Sequence, residues 1–272
     1  MKFSILIAHY NNWEYFQETY RSILAQTYKN YEIIIVDDCS SNTNDFENLK
    51  KIAKEDSNIK LFQNEINRGV GYTKARLIEN ANGEIVGFLD PDDVLDENAL
   101  EVSMLYHEKM PDIVATYSQI MLCDENLNPK NIYPRSRRIK NNCKYFFNIN
   151  NEVSHFFTFK RKFYTETVGI NIDLTSSVDF DLYLKLYETG DFYYIKEPLY
   201  LYRQHEKGVS QDKRRIEIIK KNWDKVLYDT CVRRGITKIG KHIISKESNL
   251  SKIIFAFENN LFSKIKRYLM KT

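Results

Sequence analysis

Cysteine is scarce in this chain and unpatterned. The four residues, Cys39, Cys123, Cys143 and Cys231, are widely spaced and include no CxxC. That argues against a zinc or disulfide framework and for reduced thiols. Long hydrophobic runs are also missing. No apolar stretch approaches the roughly 20 residues that span a bilayer, and no signal-peptide cleavage pattern follows the strand-like start "MKFSILIAHY". The expected location is cytoplasmic. Internal repeats and low-complexity stretches are absent too. Net charge is small, +3, but unevenly spread. Residues 201–272 hold 18 basic against 7 acidic side chains, +11, which leaves −8 on the first 200. The two halves therefore meet different partners.

What is present is a globular chain of 272 residues, 43% hydrophobic and 28% charged. Its size suits one large domain, or one domain with an appendage. Strand-like runs alternate with helical spacing. Phe3–Ile7, 31–38 ("YEIIIVDD"), 59–62, 84–89 and 112–122 read as strands, and 14–26, 48–54, 70–81 and 98–109 as helices. The unbroken β-branched run at 31–38 fits a strand buried on both faces. Such alternation implies right-handed crossovers and a mostly parallel α/β sheet. A further helix is expected from about Asp179. Two short aromatic strands broken by Pro198 are expected in 191–205, and basic helix beyond Gln211. A basic loop, "YPRSRRIK", occupies 133–140.

Open α/β sheets bind ligands beyond the carboxyl ends of their strands. There the chain carries "AHYN" (8–11), "DDCSSN" (37–42) and "DPDD" (90–93). In the last, Asp90, Asp92 and Asp93 fall within four positions. Pro91 stops the strand, and Asp is a common turn and capping residue, so a plain turn is one reading. Three crowded carboxylates raise each other's proton affinity unless a cation neutralises them. A hard divalent ion, Mg²⁺ or Mn²⁺, is the other reading.

Six segments carry a closer resemblance: "SILIAHYNN" (4–12), "SILAQTYKNYEIIIVDDCSSN" (22–42), "NRGVGYTKAR" (67–76), "ANGEIVGFLDPDD" (81–93), "VDFDLYLKL" (178–186) and "PLYLYRQHEKGVS" (198–210). In this order and spacing the chain resembles a family 2 glycosyltransferase of the GT-A fold, of the bacterial surface-polysaccharide type. The resemblance implies a Rossmann-like, mostly parallel sheet flanked by helices in a domain over 1–210. Its nucleotide-binding half would be 1–95 and its acceptor half 96–210, with a basic helical extension over 211–272. It implies an inverting, metal-dependent transferase. A sugar would move from a nucleotide diphosphate, most often UDP, to an acceptor hydroxyl in capsule, lipooligosaccharide or other surface-polysaccharide synthesis.

The resemblance also assigns roles. "DPDD" matches the DxD motif. Ala8, Asp38, Lys74, Asp90, Asp92 and Asp93 would contact the nucleotide sugar. Asp38 would accept from the uracil imide, and Lys74 stands where arginine is common. Asp92, Asp93 and His205 would bind Mn²⁺ or Mg²⁺. Asp179 matches the catalytic base, although Val178 stands where Glu is usual, and Asp181 is its rival on sequence alone. Arg203 is a candidate phosphate or acceptor contact. The expected partners are a nucleotide-sugar donor and a glycan or lipid-linked glycan acceptor, with no nucleic acid. In 248–272, Leu250, Ile253, Ile254, Phe257, Leu261, Ile265 and Leu269 form a helical stripe beside basic residues. It suits either docking on protein or a peripheral contact with the inner face of the plasma membrane. The alternative to an enzyme is a decayed, nucleotide-sugar-binding protein of the same fold, and Val178 is the residue that keeps it open.

Overall fold

Tyr31–Asp37 is buried at every position, and this strand (β2) runs through the interior of the sheet as its β-branched run demands. The structure is a computed structural model that describes residues 1–206, 208 and 215–260. Around β2 lie β1 (Phe3–His9), β3 (Ile59–Gln63) and β4 (Ile85–Phe88), crossed by helices α1 (Trp13–Leu24), α2 (Thr43–Glu55) and α3 (Val70–Glu79). The chain continues through β5 (Val94–Leu95), α4 (Ala99–Lys109), β6 (Ala115–Cys123), β7 (Pro129–Ile132), β8 (Thr158–Lys160), α5 (Arg161–Tyr164), α6 (Val178–Tyr187) and β9 (Phe192–Arg203).

The sheet order is β3-β2-β1-β4-β8-β6-β9-β5, with β7 beside β6. The pairs β1/β2, β1/β4, β2/β3 and β6/β9 are parallel, while β8 runs antiparallel to both β4 and β6. Six strands therefore point one way, and their carboxyl ends share an edge. Because β8 is reversed, the segment that precedes it arrives at that same edge.

Alternation along β1 builds two cores. Ile5 and Ile7 face one side with Phe16, Ile23, Leu49 and Leu100. Leu6 faces the other with Leu77, Phe157, Leu182 and Leu186. This is the period of two that a strand imposes.

Two expectations are corrected. Residues 192–203 form one strand, not two. Pro198 sits where the β6/β9 register shifts, so the hydrogen bond it cannot donate falls at an irregularity. Beyond residue 211 the chain is not all helix. Between α7 (Ile216–Arg233) and α8 (Leu250–Glu258) lies a small hairpin of β10 (Lys238–Ile239) and β11 (His242–Ile243). The extension shares the main core, since Leu227, Cys231, Leu250 and Ile254 are buried in the cluster that holds α6. Ile253 and Phe257 pack on that cluster, so the described part of the C-terminal stripe docks on protein. Leu261, Ile265 and Leu269 lie outside the described residues. Among the described residues no helix is long and apolar enough to cross a membrane, and all four cysteines are free.

Candidate active site

The common strand edge opens into a cleft of about 970 Å³. One wing is lined by Ala8, Tyr10, Asp38 and Gly69, the centre by Lys74, Asp90, Asp92, His155 and Asp179, and the far wing by Tyr133, Asn148, Asn151 and Ser154. Buried polar atoms without a protein partner lie on residues of its walls: His9 Nε2 and Ser177 Oγ. Such atoms in a cleft mark places that a ligand or ordered water completes.

Asp38 organises the first wing. Its Oδ1 accepts from Asn64 Nδ2 (2.7 Å) and the Arg68 amide (2.8 Å), and Oδ2 accepts from the Gly69 amide (2.8 Å). A carboxylate offers about four acceptor sites, so one is left on Oδ2. Gly69 takes φ of +82° to start α3, a conformation that glycine adopts without strain. Beside them Tyr10 lies 46% exposed, an aromatic face on the cleft that the sequence motif did not single out.

The DPDD turn divides its labour. Asp90 and Asp92 are partly open to the cleft. Asp93 is 1% exposed. Its Oδ1 accepts from the Arg203 amide and its Oδ2 from the Tyr200 hydroxyl, each at 2.7 Å. Burial and the neighbouring Asp92 and Asp90 push the Asp93 carboxyl well above the usual range. It braces the turn from behind, which does not suit the metal-ligand role expected of it. Arg203 is likewise turned inward at 2% exposure. It donates to the carbonyls of Asp92 (2.7 Å) and Glu125 (2.6 Å) and to Glu18 (2.6 Å). Its fork is spent on the fold, so the expected phosphate or acceptor contact is not available as placed.

The residues toward a metal are fewer than expected. His205 Nε2 lies 2.9 Å from Asp92 Oδ2, with its ring 4.5 Å from that of Tyr15. Among the described residues no group of three or more His, Cys, Asp or Glu is arranged to hold a metal ion. An open carboxylate beside an imidazole nitrogen nevertheless fits a divalent cation that takes its remaining ligands from phosphate and water. Of the two expected ions this mixed donor pair fits Mn²⁺ better than Mg²⁺.

At the centre, Lys74 Nζ donates to Asp179 Oδ1 (2.7 Å) and Oδ2 (2.8 Å) and lies 3.6 Å from Asp90. Lys74 is 3% exposed and Asp179 28%. Burial alone would raise the Asp179 carboxyl, but Lys74 and His155 pull it below its ordinary value. The contact depends on Gly71. A Cβ there would come within 2.7 Å of the Leu174 carbonyl, so only glycine lets α3 abut 171–174 and bring Lys74, one turn later, against α6. Asp181 is removed as a rival. It pairs with Lys185 at 2.5 Å, buried on another face of α6. Val178 is 2% exposed inside the core, so this position offers the acceptor nothing polar.

His155 had no motif around it, yet the reversed β8 delivers it to the cleft. Its Nε2 is 3.9 Å from Asp90 Oδ2, and its ring stacks on Tyr200 at 4.9 Å. It lies three residues ahead of that short strand, in a stretch with no periodicity to read.

A curled, mostly parallel sheet with its cleft at the strands' carboxyl ends defines the class, the GT-A fold. The chain belongs to glycosyl transferase family 2, whose family model matches residues 4–167. It is 31% identical over 184 residues to an uncharacterized glycosyltransferase of Methanocaldococcus jannaschii, covering 67% of this chain and 63% of that protein. It is 27% identical over 243 residues to the chondroitin synthase of Escherichia coli, covering 86% of this chain but 33% of the synthase. The chain thus spans less than two thirds of the length of these relatives. Among solved structures it resembles S. aureus TarS residues 1–349 in complex with UDP-GlcNAc, with a TM-score of 0.72 at 19% identity over 97% of this chain and 73% of that one. The mannosyltransferase PcManGT of Pyrobaculum calidifontis, in complex with GDP-Man and Mn²⁺, gives a TM-score of 0.63 at 12% identity over 95% and 70%. At these identities the likeness is one of fold.

Proposed function

We propose that the protein is an inverting, Mn²⁺-dependent glycosyltransferase. It transfers a sugar from a UDP-sugar to a glycan or lipid-linked glycan hydroxyl in surface-polysaccharide synthesis. The observation that carries this reading is the meeting of Asp90, Lys74 and Asp179 across the centre of the cleft. It sets a base candidate opposite a turn suited to a diphosphate.

In this reading the nucleotide lies along Ala8, Tyr10 and Asp38. The free acceptor site on Asp38 takes the base's imide proton, and the Tyr10 ring covers the base. Asp92 and His205 hold the cation. When bound, it neutralises charge on the diphosphate leaving group. Asp90 faces the donor's ribose. Lys74 is a cation for which two anions compete, Asp179 and the donor phosphates. As a point charge it serves either without the bidentate geometry of arginine. Asp179 Oδ takes the proton of the acceptor hydroxyl as that oxygen attacks the anomeric carbon. Attack from the side opposite the leaving diphosphate inverts the centre.

UDP is favoured as the nucleotide because the TarS fold neighbour was solved with UDP-GlcNAc. GDP is the rival that PcManGT suggests. A peripheral membrane contact by 261–272, the part of the expected 248–272 segment that follows the docked α8, is a further part of the proposal. Flotation with anionic liposomes, for the full chain and a chain ending at Asn260, checks it, and equal non-binding of both removes it.

A thermal-shift titration with UDP, GDP, CDP and dTDP, each with Mn²⁺ and with EDTA, tests the site on wild type and Asp92→Ala. Stabilisation by UDP that needs both Mn²⁺ and Asp92 is expected. Stabilisation with no turnover on any UDP-sugar would instead favour the decayed, nucleotide-binding alternative.

A further inference from the structure

The basic loop 133–140 plays no part in the chemistry above, yet it is built with care. It starts in the cleft, where Tyr133 is part of the wall, and runs down the flank of the sheet. Its inner side is fastened at almost every step. Ser136 Oγ pairs with Ser154 Oγ at 2.8 Å, and Ser154 itself lines the cleft. The Ser136 carbonyl accepts from Tyr194 at 3.1 Å. Arg137 pairs with Glu152 at 2.7 Å, and its carbonyl accepts from Tyr117 at 2.8 Å. The Ile139 amide donates back to the Tyr117 hydroxyl (3.0 Å), and the Lys140 carbonyl accepts from Tyr187 (2.6 Å).

This fastening decides which side chains face out. Arg135, Arg138 and Lys140 are exposed while Ser136 is buried and Arg137 and Ile139 are half-buried. Among the described residues none of the three exposed cations pairs with a carboxylate. The nearby acids are engaged elsewhere: Glu152 with Arg137, and Asp191 with Asn142 Nδ2 at 2.9 Å. Three cations on a rigid backbone, spread over up to about 17 Å of extended chain, begin beside the acceptor wing and lead away from it. Fixed like charges with no local partner repel one another, and an anion laid along them relieves that.

We propose that Arg135, Arg138 and Lys140 form a track for an anionic glycan, the non-reacting part of an acceptor chain that carries carboxylate or phosphodiester groups. This rests on the reading of the cleft as a sugar-transfer site, but its test needs no turnover. The track is narrow and continuous with the cleft wall, which suits a linear polymer entering the site better than a flat bilayer.

The experiment measures binding of polygalacturonate, poly(glycerol phosphate), neutral dextran and phosphatidylglycerol vesicles to the full chain. Wild type is compared with Arg135→Gln/Arg138→Gln/Lys140→Gln and with the single Arg135→Glu, at low and at physiological salt. UDP binding is recorded alongside. The expected result is salt-sensitive binding of one anionic polymer and none of dextran. The triple variant should bind about tenfold more weakly, with UDP affinity and melting temperature unchanged. The polymer bound distinguishes carboxylate from phosphodiester. Equal affinity of wild type and both variants, binding of neither anionic polymer, or loss confined to phosphatidylglycerol vesicles would each overturn it. Failure of UDP binding in wild type would instead count against the proposed function.

Discussion

Lys74 Nζ donates to both carboxylate oxygens of Asp179 at 2.7 and 2.8 Å, joining two helices 105 residues apart in sequence. The pair ties α3 to α6 across the centre of the cleft. It also sets the protonation of Asp179. With Lys74 present the Asp179 carboxyl lies below its ordinary value, against the upward push of burial. Asp179 is therefore ionised throughout the neutral range. In Lys74→Met the push of burial is no longer opposed by that cation, and the carboxyl rises. The acidic limb of kcat/KM should move to higher pH, with kcat/KM at neutral pH down about 100-fold from lost phosphate contact and base ionisation. A pH profile of UDP release measures both.

Gly71 is what permits this pair. A Cβ at 71 would sit 2.7 and 2.8 Å from the carbonyls of Leu174 and Asn171, and backbone cannot move aside cheaply. Gly71→Ala should cost about 1–3 kcal/mol of stability and reduce turnover more than UDP affinity. Urea unfolding and nucleotide titration separate the two effects.

Arg203 and Asp93 should behave as structural groups. Arg203→Leu leaves the carbonyls of Asp92 and Glu125 without their donor, a loss of about 2–3 kcal/mol. Tyr200→Phe removes one bond to Asp93 and should cost about 1 kcal/mol. Asp92→Ala, by contrast, should leave the melting temperature of the free protein nearly unchanged while abolishing Mn²⁺-dependent UDP stabilisation. Thermal melts with and without ligand distinguish the three.

Glu32 gives the fold an acid-sensitive joint far from the cleft. Burial opposes its ionisation, but Lys60, Ser4, Asn82 and Lys2 bind the carboxylate and bring its pKa down to about 2. The folded value is depressed, so the stabilisation is complete above the unfolded value near 4.3 and is lost as pH falls toward 2. The lysine tips are partly exposed, which limits the contribution to about 1–2 kcal/mol. Glu32→Gln should lower stability by that amount at pH 7 and by progressively less below pH 4 in denaturant titrations.

Much of this was legible in the sequence where side-chain pattern and backbone role coincide. The buried run at 31–37, the helix from 70 and the acids after β4 each announce themselves through residue type. The place of Asp179 and Asp92 on the cleft followed from motif. Three features were not legible. Pro198 argued for a break, because a proline's missing donor is visible in sequence whereas a register shift that absorbs it is not. His155 reaches the cleft through a strand of three residues that pairs antiparallel between distant partners. The inward turn of Asp93 and Arg203 depends on hydrogen bonds with each other and with Tyr200 across 107 to 110 positions, and no local spacing encodes that.

The central claim is that Asp179, held by Lys74, is the base of sugar transfer. The most direct measurement is UDP release from a panel of UDP-sugars with Mn²⁺, comparing wild type with Asp179→Asn, with UDP affinity measured for both. The account predicts equal UDP affinity and a rate about 1,000-fold lower in the variant. An Asp179→Asn protein that turns over as fast as wild type would contradict it.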